Sequence, residues 1–231
     1  MKEGVFITIE GPDGSGKSTQ IEYIKSYLKK MNIDACFLRE PGGTVLSEKI
    51  RNIILDRENI NMTCTTEMLL YAAARSQLVE EFIVPKIKEG YWVVCDRYVD
   101  SSFAYQGFGR NLGKGVWDVN LYATHNIMPL VTILLSVEPY SGMARIENDI
   151  KDSRERTKDR LESEDMNFHE KVKRGYDFLT SKYAGRIISI DGNQSKEKIR
   201  RQIEEILQKI IESRKKDGNQ KGTSKFELYC E

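Results

Sequence analysis

The sequence predicts an α/β protein, a five-stranded parallel sheet with helices on both faces. Three observations carry this. Short apolar runs alternate with stretches of helical periodicity along 231 residues, the pattern that strand–helix–strand crossovers impose. The run LVTILLSV at 130–137 is almost wholly apolar, so it must be covered on both faces, as strands of parallel sheets are. The first apolar run leads through a glycine-rich loop into a helical pattern, ITIEGPDGSGKSTQIEYIKSYL, the local architecture of a phosphate-binding turn.

The elements follow in order. Residues 5–10 read as a buried strand, and 17–31 as a helix with Ile21, Ile24, Tyr27 and Leu28 on one face. Residues 33–39 form the second strand. Residues 44–55 are helical by the spacing of Val45, Leu46, Ile50, Ile53 and Ile54. Residues 66–89 have the reach of a long helix, with a kink or break expected at Pro85 because proline lacks an N–H and crowds the preceding turn. YWVVCDR at 91–97 is a third strand running into an acid. A helix over 114–124, the strand at 130–137 and a fifth strand at 186–190 come next. Ile199, Ile203, Ile206, Leu207, Ile210 and Ile211 give the last helix an apolar stripe. From about Lys215 the chain turns to Lys, Gly, Asn, Gln and Ser, a composition that buries little and is expected to be mobile. The apolar FELYC near its end has no explanation in the sequence.

Composition narrows the function. The content, 39% hydrophobic and 31% charged, is that of an ordinary globular protein. A net charge of +1 from 36 basic and 35 acidic residues speaks against a general nucleic-acid or membrane-surface binder. Cys36, Cys64, Cys95 and Cys230 are scattered, with no Cys-x-x-Cys pair. That argues against zinc and fits a reducing, cytoplasmic setting. No apolar run is long enough for a signal-peptide core or a membrane span. Positive charge that meets a polyanion must therefore be concentrated locally.

Gly11, Gly16, Lys17 and Ser18 fit Gly-x-x-x-x-Gly-Lys-Ser/Thr between strand and helix. Glycines let backbone N–H groups curl around phosphate oxygens, the helix N-terminus favours negative charge, and Lys17 reaches the β and γ phosphates. The Ser18 hydroxyl suits Mg²⁺, and Asp96, ending the third strand, is the natural partner of that ion, directly or through a water. The loop is expected to hold a nucleoside triphosphate. A guanine-nucleotide switch needs an Asn-Lys-x-Asp that is absent. A kinase for a small acceptor needs a second anionic pocket and a cationic flap. Arg39, Arg51, Arg75 and Arg97 sit beside apolar elements of the first half, and guanidinium forks suit phosphate oxygens. Tyr71 and Arg75 share a helix face, placed to cover a base and bond its edge. The flap is the charged segment 145–165, crowded with Arg154, Arg156, Lys158 and Arg160. The front loop carries Pro12, Asp13, Gly14 and Ser15 but no Arg, so cationic help for phosphoryl transfer is expected from the flap.

GPDGSGKST at 11–19, REPGGT at 39–44, LLYAAARSQ at 69–77 and DRYVDSSFAYQG at 96–107 together resemble thymidylate kinase, and DRLESED and FHEKVKRGY are similar to the bacterial form. The resemblance covers about residues 4–212. It implies a P-loop NTPase-type three-layer fold with a five-stranded parallel sheet. One nucleoside monophosphate kinase domain is expected over 1–212, with a mobile basic LID at about 145–165 and a flexible polar tail at 213–231. It implies Mg²⁺ as cofactor, ATP as co-substrate and dTMP as acceptor, with dTDP and ADP as products in dTTP synthesis. The protein is expected to be a cytoplasmic homodimer without nucleic-acid or membrane partners. By matching positions, Gly11, Pro12, Asp13, Gly14, Ser15, Gly16, Lys17, Ser18 and Thr19 bind ATP. Asp13, Glu40, Arg39, Arg51, Tyr71, Arg75, Arg97, Ser101, Tyr105 and Gln106 bind dTMP. In this reading Tyr71 stacks on thymine, Arg75, Ser101 and Gln106 read the base edge, and Tyr105 crowds the sugar C2′. Lys17, Arg97, Arg154 and Arg160 are the catalytic cations, and Ser18 and Asp96 the metal ligands. Two positions depart from the family pattern: Ser136 where the fourth strand often ends in Asp, and Tyr140 in place of a frequent acid.

Overall fold

A computed structural model describes residues 3–152 and 157–217. Strands β1 (Val5–Glu10), β2 (Ala35–Arg39), β3 (Trp92–Asp96), β4 (Val131–Ser136) and β5 (Ile187–Asp191) form one parallel sheet in the order β2-β3-β1-β4-β5. β1 lies at the centre, with Ile7 opposite Val94 of β3 and Val131 of β4. All six of its residues are buried, whereas edge strand β2 is only half-buried. Alternation along β1 sends Val5, Ile7 and Ile9 to one face and Phe6 to the other.

The Ile7 face packs on helix α1 (Lys17–Lys30) through Ile24 and Leu28, and on α9 (Lys196–Asp217) through Ile199, Ile203 and Leu207. The Phe6 face, with Val93 and Cys95, packs on Leu78, Val79 and Ile83. Toward β5, Leu134 and Ile187 pack on Phe168, Val172, Tyr176 and Leu179. Three layers result, and the strands' carboxyl ends open on one side, where open α/β sheets place their ligands.

Helix α2 (Val45–Leu55) starts where the Thr44 side chain accepts from Ser47 N, and α3 (Cys64–Leu78) where Thr63 accepts from Thr66 N. The helix expected over 66–89 therefore begins two residues earlier. It widens into a π-helical turn at Val79–Ile83 and continues as α4 (Val84–Lys88). Pro85 does not end it: the residue follows directly on the π-helical turn, where the regular hydrogen-bond ladder is already displaced. After β3 come a short helix α5 (Val99–Ser102), a π-helical run at Phe103–Gly109 and α6 (Gly115–Ala123).

Two helices, α7 (Pro139–Asp152) and α8 (Met166–Lys182), stand where no element is expected. Pro139, Met143 and Ile146 give α7 a buried side, and the helix runs on into the expected LID, where Ile146 is its buried residue over 145–152. In α8, Phe168, Val172, Tyr176 and Leu179 recur at helical spacing; the signal lay in the sequence. The last helix runs on to Asp217, five residues past the expected domain end at 212. FELYC and Arg154 lie outside the described residues. No helix among the described residues is long and apolar enough to cross a membrane.

Candidate active site

The loop between β1 and α1 is built on glycines. Gly14 (φ 72°) lies against α7, where a Cβ would come within 2.1 Å of the Gly142 carbonyl oxygen. Gly16 is the left-handed residue before α1 (φ 92°), and no side chain caps that helix. The first amides of α1 stay available to an anion, reinforced by the helix dipole. Lys17 is folded back into the loop, donating to Gly11 O at 3.1 Å and Pro12 O at 3.0 Å. Burial, aided by the Arg97 charge, lowers its pKa to about 8. Two carbonyls hold the ammonium there, and phosphate oxygens are stronger acceptors for it.

Arg97 joins the loop to the rest of the cleft. It follows β3 with φ 72°, strained for a residue with a side chain, and its N–H is fixed on Ile9 O at 3.0 Å. Its guanidinium reaches Gly11 O at 3.0 Å and Ser101 Oγ at 3.1 Å, and pairs with Asp13. The Tyr105 hydroxyl donates to the other Asp13 oxygen at 2.7 Å. Burial disfavours the Asp13 carboxylate, but Arg97, Lys17 and Tyr105 outweigh it and hold the group below the ordinary carboxylate range.

One cleft brings Asp13, Gly14, Lys17 and Ser18 together with Arg39, Glu40, Arg51, Tyr71, Asp96, Arg97, Ser101, Tyr105 and Gln106. Arg39 pairs with Glu48 at 3.0 Å, and Arg51 donates to Pro41 O at 2.9 Å. The three cleft arginines therefore come from β2, α2 and the turn after β3. Gly11, Pro12, Ser15 and Gly16 of the loop and Thr19 of α1 are not among its lining residues. Asp96 Oδ1 and Glu40 Oε1 are buried and receive no hydrogen bond from the described residues. Burial pushes Glu40 up to about 7 against the opposing charge of Arg75. Two unpartnered acceptors lining the same cleft as Ser18 fit a hard cation held mainly by phosphates, as Mg²⁺ is. No group of three His, Cys, Asp or Glu among the described residues forms a metal cage.

Two expected site arginines among the described residues are not in the cleft. Arg75 is buried behind its wall, with Nε on Glu40 Oε2 at 2.6 Å, Nη1 on Ser102 Oγ at 2.8 Å and on Asn120 Oδ1, and Nη2 on Tyr98 O at 3.1 Å. Four acceptors from three segments outcompete an open cleft for it. Arg160 points away from the loop: Nε donates to Ile54 O at 2.9 Å, and Nη2 lies 2.7 Å from Glu67 Oε2. Instead Asp159, Leu161 and Glu162 line the cleft from the LID side. Asp159 is fixed by accepting from the amides of Leu161 and Glu162 at 2.9 and 2.8 Å.

Sequence reasoning also missed Glu10 and Arg145. Glu10, fully buried, accepts from Tyr98 N at 2.7 Å, Ser101 Oγ at 2.5 Å and the Tyr176 hydroxyl at 2.9 Å. It thereby fixes the turn that carries Arg97 and Ser101. Its position directly before the glycine loop was the available signal. Arg145 of α7 donates to Gly14 O at 3.2 Å and Gly192 O at 3.1 Å, bracing the loop from above. Ser136 is half-buried and Tyr140 exposed.

Comparison with known proteins agrees with this geometry. A family model described as thymidylate kinase matches residues 9–203. The thymidylate kinase of Clostridium novyi (strain NT) is 44% identical over 208 residues, covering 90% of this chain and 100% of the relative. That of Bacillus cereus (strain B4264) is 44% identical over 213 residues, 92% and 99% of the two chains. That of Bacillus anthracis (strain A0248) is 43% identical over 209 residues, 90% and 97%.

Proposed function

The chain belongs to the thymidylate kinase family, and on that premise we propose that its cleft carries the γ-phosphoryl group of ATP to the phosphate of dTMP, with dTDP and ADP as products. The observation that carries this reading is the position of Arg97. It touches the phosphate loop at Gly11 and Asp13 on one side and the Ser101–Tyr105 wall on the other, where two anionic nucleotides must meet end to end.

The acceptor atom is an oxygen of an already anionic phosphate, so no strong general base is needed. The protein's task is in-line placement and charge neutralisation. Lys17 and the amides of the loop and first turn of α1 bind the β and γ phosphates. Arg97, Arg51 and Arg39 bind the dTMP phosphate, Asp13 takes the sugar 3′-hydroxyl, and Tyr105 fills the space a ribose 2′-hydroxyl requires. Tyr71 covers the thymine ring, and Ser101 and Gln106 face its edge. Arg75 acts as a positioning residue, holding Glu40 and Ser102 in place. Ser18 and Asp96 are the residues that would hold Mg²⁺, which would supply positive charge to offset that of the transferring group. Arg154 is the cation assigned to that group, whereas Arg160 anchors the LID on Ile54 and Glu67.

Exposed Val45, Leu46 and Ile53 of α2 and Leu69 of α3 support a homodimer built on these two helices. The free thiols Cys36, Cys64 and Cys95 support a cytoplasmic location.

The test is ADP release, coupled to an optical assay, with dTMP, dUMP, dCMP, dGMP, UMP and thymidine as acceptors. dTMP should be preferred and dUMP used more slowly, because one methyl group is worth only about 1–3 kcal/mol. Turnover of UMP, dGMP or thymidine above that of dTMP refutes the assignment.

A further inference from the structure

Gln106 sits in the π-helical run Phe103–Gly109 and lines the cleft. A glutamine side chain offers either of two faces to a ligand, an N–H donor or a carbonyl acceptor, and the same sequence serves both. Here the choice is made by a residue outside the cleft. Gln106 Nε2 donates to Glu67 Oε1 at 2.9 Å. Glu67, on α3, is buried and is also met by Arg110, Nε at 3.2 Å and Nη2 at 3.0 Å, and by Arg160 at 2.7 Å. Burial opposes the charge, but Arg110, Gln106 and Arg160 together hold the carboxyl below its ordinary range. An ionised carboxylate only accepts hydrogen bonds. Gln106 can meet it through nitrogen and not through oxygen, and its Oε1 receives no hydrogen bond from the described residues.

We infer that Glu67 is a specificity-determining positioning residue, which locks the Gln106 amide so that its carbonyl faces the acceptor base and accepts the N3–H of a pyrimidine that carries one. The inference rests on the dTMP-binding reading above and deepens it. Thymine and uracil have a proton at N3; cytosine has a lone pair there. With the amide locked, cytosine sets lone pair against lone pair and leaves two buried acceptors unpaired. Flipping the amide to suit cytosine turns its oxygen on the Glu67 carboxylate, which is worse. The discrimination resides in the inability of the amide to turn, and that inability is set by a charge one layer behind the cleft. Arg110, which also pairs with Glu164 at 2.6 Å, and Arg160 keep that charge ionised.

The experiment compares kcat/KM for dTMP and dCMP in the wild type, Glu67→Gln and Arg110→Lys. Glutamine at 67 is nearly isosteric but offers both a donor and an acceptor, so the Gln106 amide becomes free to turn. The dTMP:dCMP ratio should fall about 10- to 100-fold, the worth of one unmade buried hydrogen bond, mainly through KM. Arg110→Lys disturbs the same carboxylate's hydrogen bonds but keeps a cation beside it, so the carboxylate remains an acceptor and the ratio should hold even if stability falls. A folded Glu67→Gln enzyme with the wild-type ratio overturns the inference, as does an equal fall in Arg110→Lys. Should Glu67→Gln not fold, ¹⁵N NMR of the Gln106 side-chain amide in the wild type decides. A downfield, exchange-protected N–H that persists on dTMP binding supports the lock, and its loss on binding overturns it. A wild type that does not phosphorylate dTMP refutes the underlying reading instead, and that outcome is read from the wild type alone.

Discussion

Glu10 offers a quantitative test of how the sheet supports the site. Its carboxyl is enclosed between β1, the Tyr98–Ser101 turn and Tyr176 of α8. Burial, and then the charge of Asp100, push it from 4.5 up to about 7, against Arg97 and the hydroxyls of Ser101 and Tyr176. Below pH 4.5 the group is protonated in both folded and unfolded chains, and its contribution is fully present. Between 4.5 and about 7 the unfolded chain releases the proton while the folded one keeps it, so stability falls with rising pH; above about 7 the loss is complete. At 1.36 kcal/mol per pH unit this amounts to about 3 kcal/mol. Glu10→Gln imitates the protonated acid and does not titrate. Urea unfolding followed by circular dichroism at pH 4.5, 5.5, 6.5 and 8 should show the variant gaining on the wild type by roughly 3 kcal/mol across the series. Glu40, also raised to about 7, is present in both proteins and cancels in the difference. Parallel pH curves for the two proteins refute the reasoning, and a variant that loses ground as pH rises reverses its sign.

Two further outcomes follow from the same geometry. Gly14→Ala places a methyl 2.1 Å from the Gly142 carbonyl at a φ of 72°. It should cost about 2–5 kcal/mol in urea unfolding, from left-handed strain together with overpacking, and should raise KM for ATP more than KM for dTMP. Arg75→Leu leaves Glu40 buried without its cation, at an expected cost of about 3–5 kcal/mol. Adding Glu40→Gln should recover part of that loss, measured as a non-additive double-variant cycle.

Local chemistry determined much of this protein. The sheet was legible because each strand is an apolar run bounded by polar turns, and β4 is buried from Val131 to Leu135. The phosphate loop was legible because its function is carried by backbone geometry that only a fixed pattern of glycines permits. Most residues matched to the dTMP site do meet in one cleft, since each follows a strand end or faces inward from a neighbouring helix. The rest depended on partners far apart in sequence. The guanidinium of Arg75 satisfies acceptors at 40, 98, 102 and 120, and Arg160 is drawn to Glu67 and Ile54. Periodicity assigns a side chain to a face of its helix; it does not say which buried acceptor on another element lies opposite. The charged segment shows no helical periodicity in its sequence, and only packing shows α7 reaching into it with Ile146 buried. Glycine spacing and apolar alternation are written into the chain one neighbour at a time, whereas the pairing of buried charges exists only once the layers have closed and removed the water that would otherwise satisfy them.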